Sequence, residues 1–277
     1  MQNQAKKILV NGVELNYIEQ GKGDPVIFVH GSLNDFRAWG SQIEPFSKRY
    51  HVIAYSRRYH YPNAWVGEGR DYSAVLHAED LAALINGLKL GKAHIVASSY
   101  GAYTSLLLAS RHPKLIRSLV LGEPPLFPWL LNIPGGDTLL AAFITNAWEP
   151  ARQAFQRGDL EQGVRLFING VLGEGAFEKL PQPVLSSLMD NALEMKAETS
   201  APNFFPLFSC EDVRKIKAPT LLLKGELSPQ MFHLIIDELE RCFPNKERAV
   251  IPGASHSMHT GNPQVYNETV LAFLAKH

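Results

Sequence analysis

The 277 residues carry 27 Lys plus Arg against 27 Asp plus Glu, a formal net charge of zero, which leaves no global basic field for nucleic acid or an anionic membrane. A hydrophobic share of 45% with 19% charged residues fits a globular chain with a sizeable core. No apolar run approaches about 18 residues, and the opening M-Q-N-Q-A-K-K lacks the apolar stretch of a secretory signal. A cytoplasmic protein acting on a small molecule, with no nucleic-acid and no membrane partner, is therefore expected. Cys210 and Cys242 make neither a disulfide framework nor a metal set, and are expected as reduced thiols.

In chain order, apolar runs at 8–10 and 14–18 flank Asn11-Gly12, a hairpin signal. A fully apolar run follows at 25–29, and largely apolar runs at 52–55, 93–97, 118–121, 219–223 and 248–251. Continuous runs of this length predict strands buried on both faces of a parallel sheet. Helix-period segments alternate with them at 73–90, 101–110, 229–243 and 264–275, which predicts an α/β fold. Between 125 and 215 no strand competes; helices are predicted at 137–148, 150–157, 159–171 and 181–198. That stretch reads as a helical cap inserted into one sheet, with the core at 1–124 and 216–277 and a hinge at Pro134-Gly135-Gly136.

Residues 95–101 read I-V-A-S-S-Y-G. A nucleophile elbow, G-x-S-x-G between strand and helix, needs small residues two before and two after its serine. Ser99 has Ala97 and Gly101 there, whereas Ser98 would have Val96 and Tyr100. Ser99 is thus the expected nucleophile, with Ala97 departing from the usual first glycine. Its position also makes the N–H of the next residue, Tyr100, an oxyanion donor.

Together with His30-Gly31 after the third strand, A-S-R-H-P after the following helix and I-P-G-A-S-H near the C-terminus, this motif resembles the α/β-hydrolase superfamily along nearly the whole chain. The resemblance implies a mostly parallel α/β-hydrolase sheet with flanking helices and a cap. It implies His256 as catalytic base, with His259 the local competitor, and the N–H of Ser32 as second oxyanion donor. The family usually carries an Asp after the strand at 219–224; here K-G-E-L-S-P puts Ser228 in its place. Two carboxylates compete to replace it, or no acid is used. Glu123, in L-G-E-P-P after the preceding strand, leads because some relatives carry their acid there; Glu226 is the alternative. The family's D-x-R-G-x-G stretch reads S-R-R-Y-H-Y at 56–61, a bulkier loop.

The insertion supplies aromatic residues, among them Phe127, Trp129, Phe143, Trp148, Phe204 and Phe205. Phe127 and Trp129, close behind Glu123, are expected at the substrate, with His30 (which also braces its own loop) and His60. No metal cluster, phosphate loop or dinucleotide fingerprint occurs, so no cofactor and no metal is expected. The leading expectation is a serine hydrolase cleaving an ester or lactone through an acyl-enzyme. Two alternatives remain: a lyase or cofactor-free dioxygenase using the same residues for proton transfer, and a small-molecule receptor with vestigial turnover. The oligomeric state is left open.

Overall fold

The computed structural model describes residues 4–65, 67–202 and 205–277; Phe204 of the insertion falls outside them. β1 (Lys6–Val10) and β2 (Val13–Gln20) form the expected hairpin, with Asn11 and Gly12 at φ +47° and +72°. Both central residues of a two-residue type I′ turn require positive φ, hence Asn-Gly. Six more strands follow: β3 (Pro25–Val29), β4 (His51–Tyr55), β5 (Ala93–Ser98), β6 (Ile116–Gly122), β7 (Thr220–Gly225) and β8 (Lys246–Ile251). They make one sheet in the order β1-β2-β4-β3-β5-β6-β7-β8. Pairing is antiparallel at β1/β2 and β2/β4 and parallel elsewhere.

Every residue of β3 and β5 is buried, because helices cover both faces. Val26 and Phe28 of β3 join one core with Phe46 of α1 (Gly40–Ser47) and Val270 of α12 (Pro263–Leu274). Ile27 and Val29 join the other, with Leu84 of α2 (Ala74–Gly87) and Leu106 of α3 (Tyr100–Arg111). The alternation follows from the two-residue period of a strand. Helix α1 has no counterpart among the predicted elements and contains Pro45. The proline ring leaves the Ser41 carbonyl without its helical donor, and Asn267 Nδ2 of α12 supplies one at 3.0 Å.

Among the described residues between β6 and β7 there is no strand. The insertion holds α4 (Gly136–Phe143), a π-helical turn at Ile144–Trp148, α5 (Glu149–Gln156), α6 (Leu160–Leu172), α7 (Gln182–Asp190) and α8 (Ala192–Ser200). The single helix predicted over 181–198 is instead two, broken at Asn191. That side chain is turned to the core: Nδ2 donates to Asp35 Oδ2 at 2.8 Å, and Oδ1 accepts from Tyr61 N–H at 2.8 Å. At the expected hinge, a Cβ on Gly136 would lie 2.4 Å from the Leu130 carbonyl oxygen, so that segment is packed closely on the chain before it.

The expectation of reduced thiols is corrected. Cys210, which opens α9 (Cys210–Lys215), is disulfide-bonded to Cys242, which closes α10 (Gln230–Cys242). Cysteines 32 apart meet because β7 returns the chain so that α10 packs beside α9. The bond ties the segment leaving the insertion to a core helix. Among the described residues no helix is long and apolar enough to cross a membrane.

Candidate active site

Ser99 stands between β5 and α3 at φ +53°, ψ −125°. A non-glycine residue there costs about 1–3 kcal/mol and persists only when its surroundings hold it. They do: its N–H donates to the Gly122 carbonyl at 2.7 Å. A Cβ on Gly101 would lie 2.4 Å from the carbonyl oxygens of both Val29 and His30, which explains the glycine two residues on. Ala97 is buried inside β5, and Ser98 is the strand's last residue, in register with Gly122. Ser99 is the partly exposed one of the pair.

His256 lies on the loop between β8 and α11 (Met258–Gly261). Its Nε2 is 2.9 Å from Ser99 Oγ and its Nδ1 is 2.6 Å from Glu123 Oε2. The Phe232 ring of α10 stacks on the imidazole, 4.0 Å between centroids and 19° from parallel. Glu123 follows β6 at φ +45° and is fully buried. Its Oε1 accepts from Gly225 N–H at 2.8 Å, so both carboxylate oxygens are engaged and its rotamer is held. Glu226 points elsewhere, accepting from Gly253 N–H at 2.8 Å. Ser228, on the family's usual acid position, makes no bond to the histidine; its buried hydroxyl has no hydrogen-bond partner.

The competitor His259 is buried against Trp39, ring centroids 4.4 Å apart, and burial lowers its pKa to about 4. His30 and His60, expected at the substrate, are 1% and 0% exposed. His30 Nδ1 is 2.9 Å from the Gly31 carbonyl oxygen, and its Nε2 accepts from Arg57 N–H at 2.9 Å. His60 Nδ1 is 2.7 Å from the Asn34 carbonyl oxygen. Burial first, then the Arg57 charge, hold His30, His60 and His77 well below the ordinary imidazole value, so all three are neutral. Phe127 is one ring removed from the histidine, packed on Phe232 at 6.1 Å and Phe143 at 5.0 Å. Trp129 lines a separate cleft of about 400 Å³ with Tyr103, Leu126, Phe205 and Phe208.

Sequence reasoning missed a buried polar cluster beside the Ser32 loop. Glu194 and Glu198 of α8 are 0% and 1% exposed. Ser32 Oγ donates to Glu198 Oε2 at 2.7 Å, and Leu33 N–H donates to Glu194 Oε2 at 2.9 Å. The Tyr72 hydroxyl lies between the two carboxyls. The fully buried Arg57 guanidinium sits 4.9 Å above the Tyr100 ring. The only local hint is the i, i+4 spacing of the two glutamates in A-L-E-M-K-A-E-T-S, which puts both on one helix face.

The chain belongs to the α/β-hydrolase fold family, whose model matches residues 24–263. It is 24% identical to the 2-(acetamidomethylene)succinate hydrolase of Mesorhizobium japonicum, covering 98% of this chain and 95% of that protein. It is 28% identical to a non-heme haloperoxidase of Rhodococcus erythropolis, with 95% and 97% covered. Among solved structures it is similar to a Bacillus subtilis carboxylesterase, with a TM-score of 0.75, 17% identity, and 100% and 93% covered. It is also similar to the enol-lactonase of Burkholderia xenovorans, with a TM-score of 0.73, 18% identity, and 98% and 100% covered. At those identities the structural likeness concerns the fold.

Proposed function

We propose that this α/β-hydrolase is a cofactor-independent serine hydrolase that cleaves a carboxylic ester or lactone of an apolar small molecule through an acyl-enzyme on Ser99. The observation that carries the reading is the unbroken line from Ser99 Oγ through His256 to Glu123, with bonds of 2.9 and 2.6 Å. A serine hydroxyl is a weak nucleophile until a base takes its proton. His256 Nε2 accepts that proton as Oγ attacks the acyl carbon, and returns it to the leaving alkoxide. Water then enters by the same route in reverse and releases the acid. Glu123 fixes the imidazole so that Nδ1 carries its proton toward the carboxylate, and stabilises the imidazolium by charge. The N–H groups of Tyr100 and Ser32 hold the oxyanion, aided by the positive end of α3, whose first residue is Tyr100. The names of the relatives, an acetamidomethylene-succinate hydrolase, a carboxylesterase and an enol-lactonase, agree with acyl transfer to water. The aromatic residues around the histidine, Phe232 and behind it Phe127, favour an apolar substrate.

The test is intact-mass and peptide analysis after a fluorophosphonate, on the wild-type chain and on Glu123→Gln. A stoichiometric adduct on Ser99, slowed strongly by the substitution, is the expected result. An unslowed adduct would remove Glu123 from the relay. No adduct in the wild type would replace acyl transfer with the proton-transfer or receptor alternatives.

A further inference from the structure

The buried glutamates of α8 hold the loop that the reading above assigns to the oxyanion. That loop packs directly on the nucleophile: a Cβ on Gly31 would lie 2.9 Å from Ser99 Cβ. Its next two residues are each tied to the cap, Ser32 by its hydroxyl to Glu198 and Leu33 by its N–H to Glu194. Leu33 stands at φ +57°, a strained conformation for a branched side chain that needs an external anchor. Both bonds hold the chain directly after the assigned donor, one through the Ser32 side chain and one through the next backbone N–H.

We propose that Glu198, backed by Glu194, is a positioning residue that sets the oxyanion loop through Ser32, so that the oxyanion hole is complete only while α8 of the cap is docked. This rests on the acyl-enzyme reading. Burying two carboxyls beside one guanidinium is a poor way to gain stability, because apolar residues of similar volume do as well or better. It does fix geometry.

Other polar groups among the described residues also face the pair. Tyr72 OH bridges both carboxyls, and Arg57 Nη1 reaches the same hydroxyl at 3.4 Å. His60 Nε2 lies 3.3 Å from Glu194 Oε1. Tyr100, whose N–H is the other assigned donor, lies under the Arg57 guanidinium. Burial first, and then the neighbouring Glu194 charge, push the Glu198 carboxyl well above its ordinary value. That direction favours the neutral form, and glutamine, neutral and of the same shape, keeps an oxygen where Glu198 Oε2 accepts from Ser32 at 2.7 Å.

The experiment follows p-nitrophenyl butyrate turnover and fluorophosphonate labelling rates in the full chain for wild type, Ser32→Ala, Glu198→Ala, Glu198→Gln and the Ser32→Ala/Glu198→Ala double variant. Ser32→Ala and Glu198→Ala should each lower kcat by roughly 10- to 100-fold at nearly constant KM, less than outright loss of an oxyanion donor. The double variant should be no worse than either single one, and Glu198→Gln should recover to within about threefold of wild type. An unchanged kcat in Ser32→Ala, additive losses, or Glu198→Gln as damaging as Glu198→Ala would each overturn the proposal. If Glu198→Ala fails to fold, Ser32→Ala and Glu198→Gln decide it alone. A wild-type chain that takes no label would instead sink the acyl-enzyme reading, and this one with it; a labelled wild type with an indifferent Ser32 sinks only this one.

Discussion

Glu123 has two carboxylate oxygens and both are committed, one to His256 Nδ1 and the other to Gly225 N–H. An amide at this position would keep the size and lose both the charge and one acceptor. Glu123→Gln should therefore lower kcat by about 10²- to 10⁴-fold with folding intact, checked by ester turnover alongside circular dichroism. Glu226→Gln should stay within about threefold of wild type in the same assay, since its carboxylate caps Gly253 instead. A second residue-scale expectation concerns His259. Its folded pKa of about 4 lies below the unfolded value, so native protein binds fewer protons than unfolded protein between about pH 6.5 and 4. Its contribution to stability is full above that window and is lost as pH falls through it, by up to about 1.4 kcal/mol per pH unit. Urea midpoints across that range should decline less steeply in His259→Gln than in wild type. Ser99 was legible because an elbow is a local constraint, written in Ala97 and Gly101. Glu123 was legible as a candidate because Ser228 cannot do an acid's work and L-G-E-P-P offers a carboxylate in a stiff loop. Arg57, Glu194 and Glu198 were not, because a contact 166 residues apart, Ser32 to Glu198, leaves no local pattern.

At the scale of elements, two glycines set how closely the catalytic loops approach. A Cβ on Gly225, at the end of β7, would lie 2.5 Å from the carbonyl oxygens of Ala254 and Ser255, just ahead of His256. Gly225→Ala should push that loop outward and disturb the N–H that holds Glu123. The expected outcome is a fall in kcat of at least about tenfold with a stability loss of about 1–3 kcal/mol, read by turnover and urea unfolding. Gly101→Ala meets backbone on two sides and should cost about 3 kcal/mol or more, appearing as insoluble or early-unfolding protein. Strand positions were readable because β3 to β7 each hold a run of at least three apolar residues, the pattern of a sheet covered on both faces. Helix boundaries inside the insertion were less so: α7 and α8 share one continuous periodicity, and it is a tertiary demand on Asn191 that divides them. Helix α1 escaped notice because eight residues with an internal proline make too short a pattern, while Asn267 repairs its carbonyl from 226 residues away.

For the molecule as a whole, the disulfide joins the return of the insertion to α10, the helix whose Phe232 stacks on His256. Closing a loop between cysteines 32 apart is worth about 3–4 kcal/mol in the chain-entropy view. Cys210→Ser/Cys242→Ser should lower the urea-unfolding free energy by an amount of that order, and a reductant should do the same to wild type while leaving the double variant unmoved. Neither cysteine position carried this pairing in the sequence, because the two meet only through the packing of α9 on α10. The insertion leaves the sheet immediately after Glu123, at Pro124 and Pro125, so this carboxylate stands on its doorstep. With an acid after β7, the whole insertion would be a cassette, replaceable without touching the partner of His256. Here the cassette begins later and ends earlier. A chimaera that takes a foreign insertion should be joined after Pro125 and before Cys210, and one spliced at the strand ends would exchange Glu123 along with the insertion.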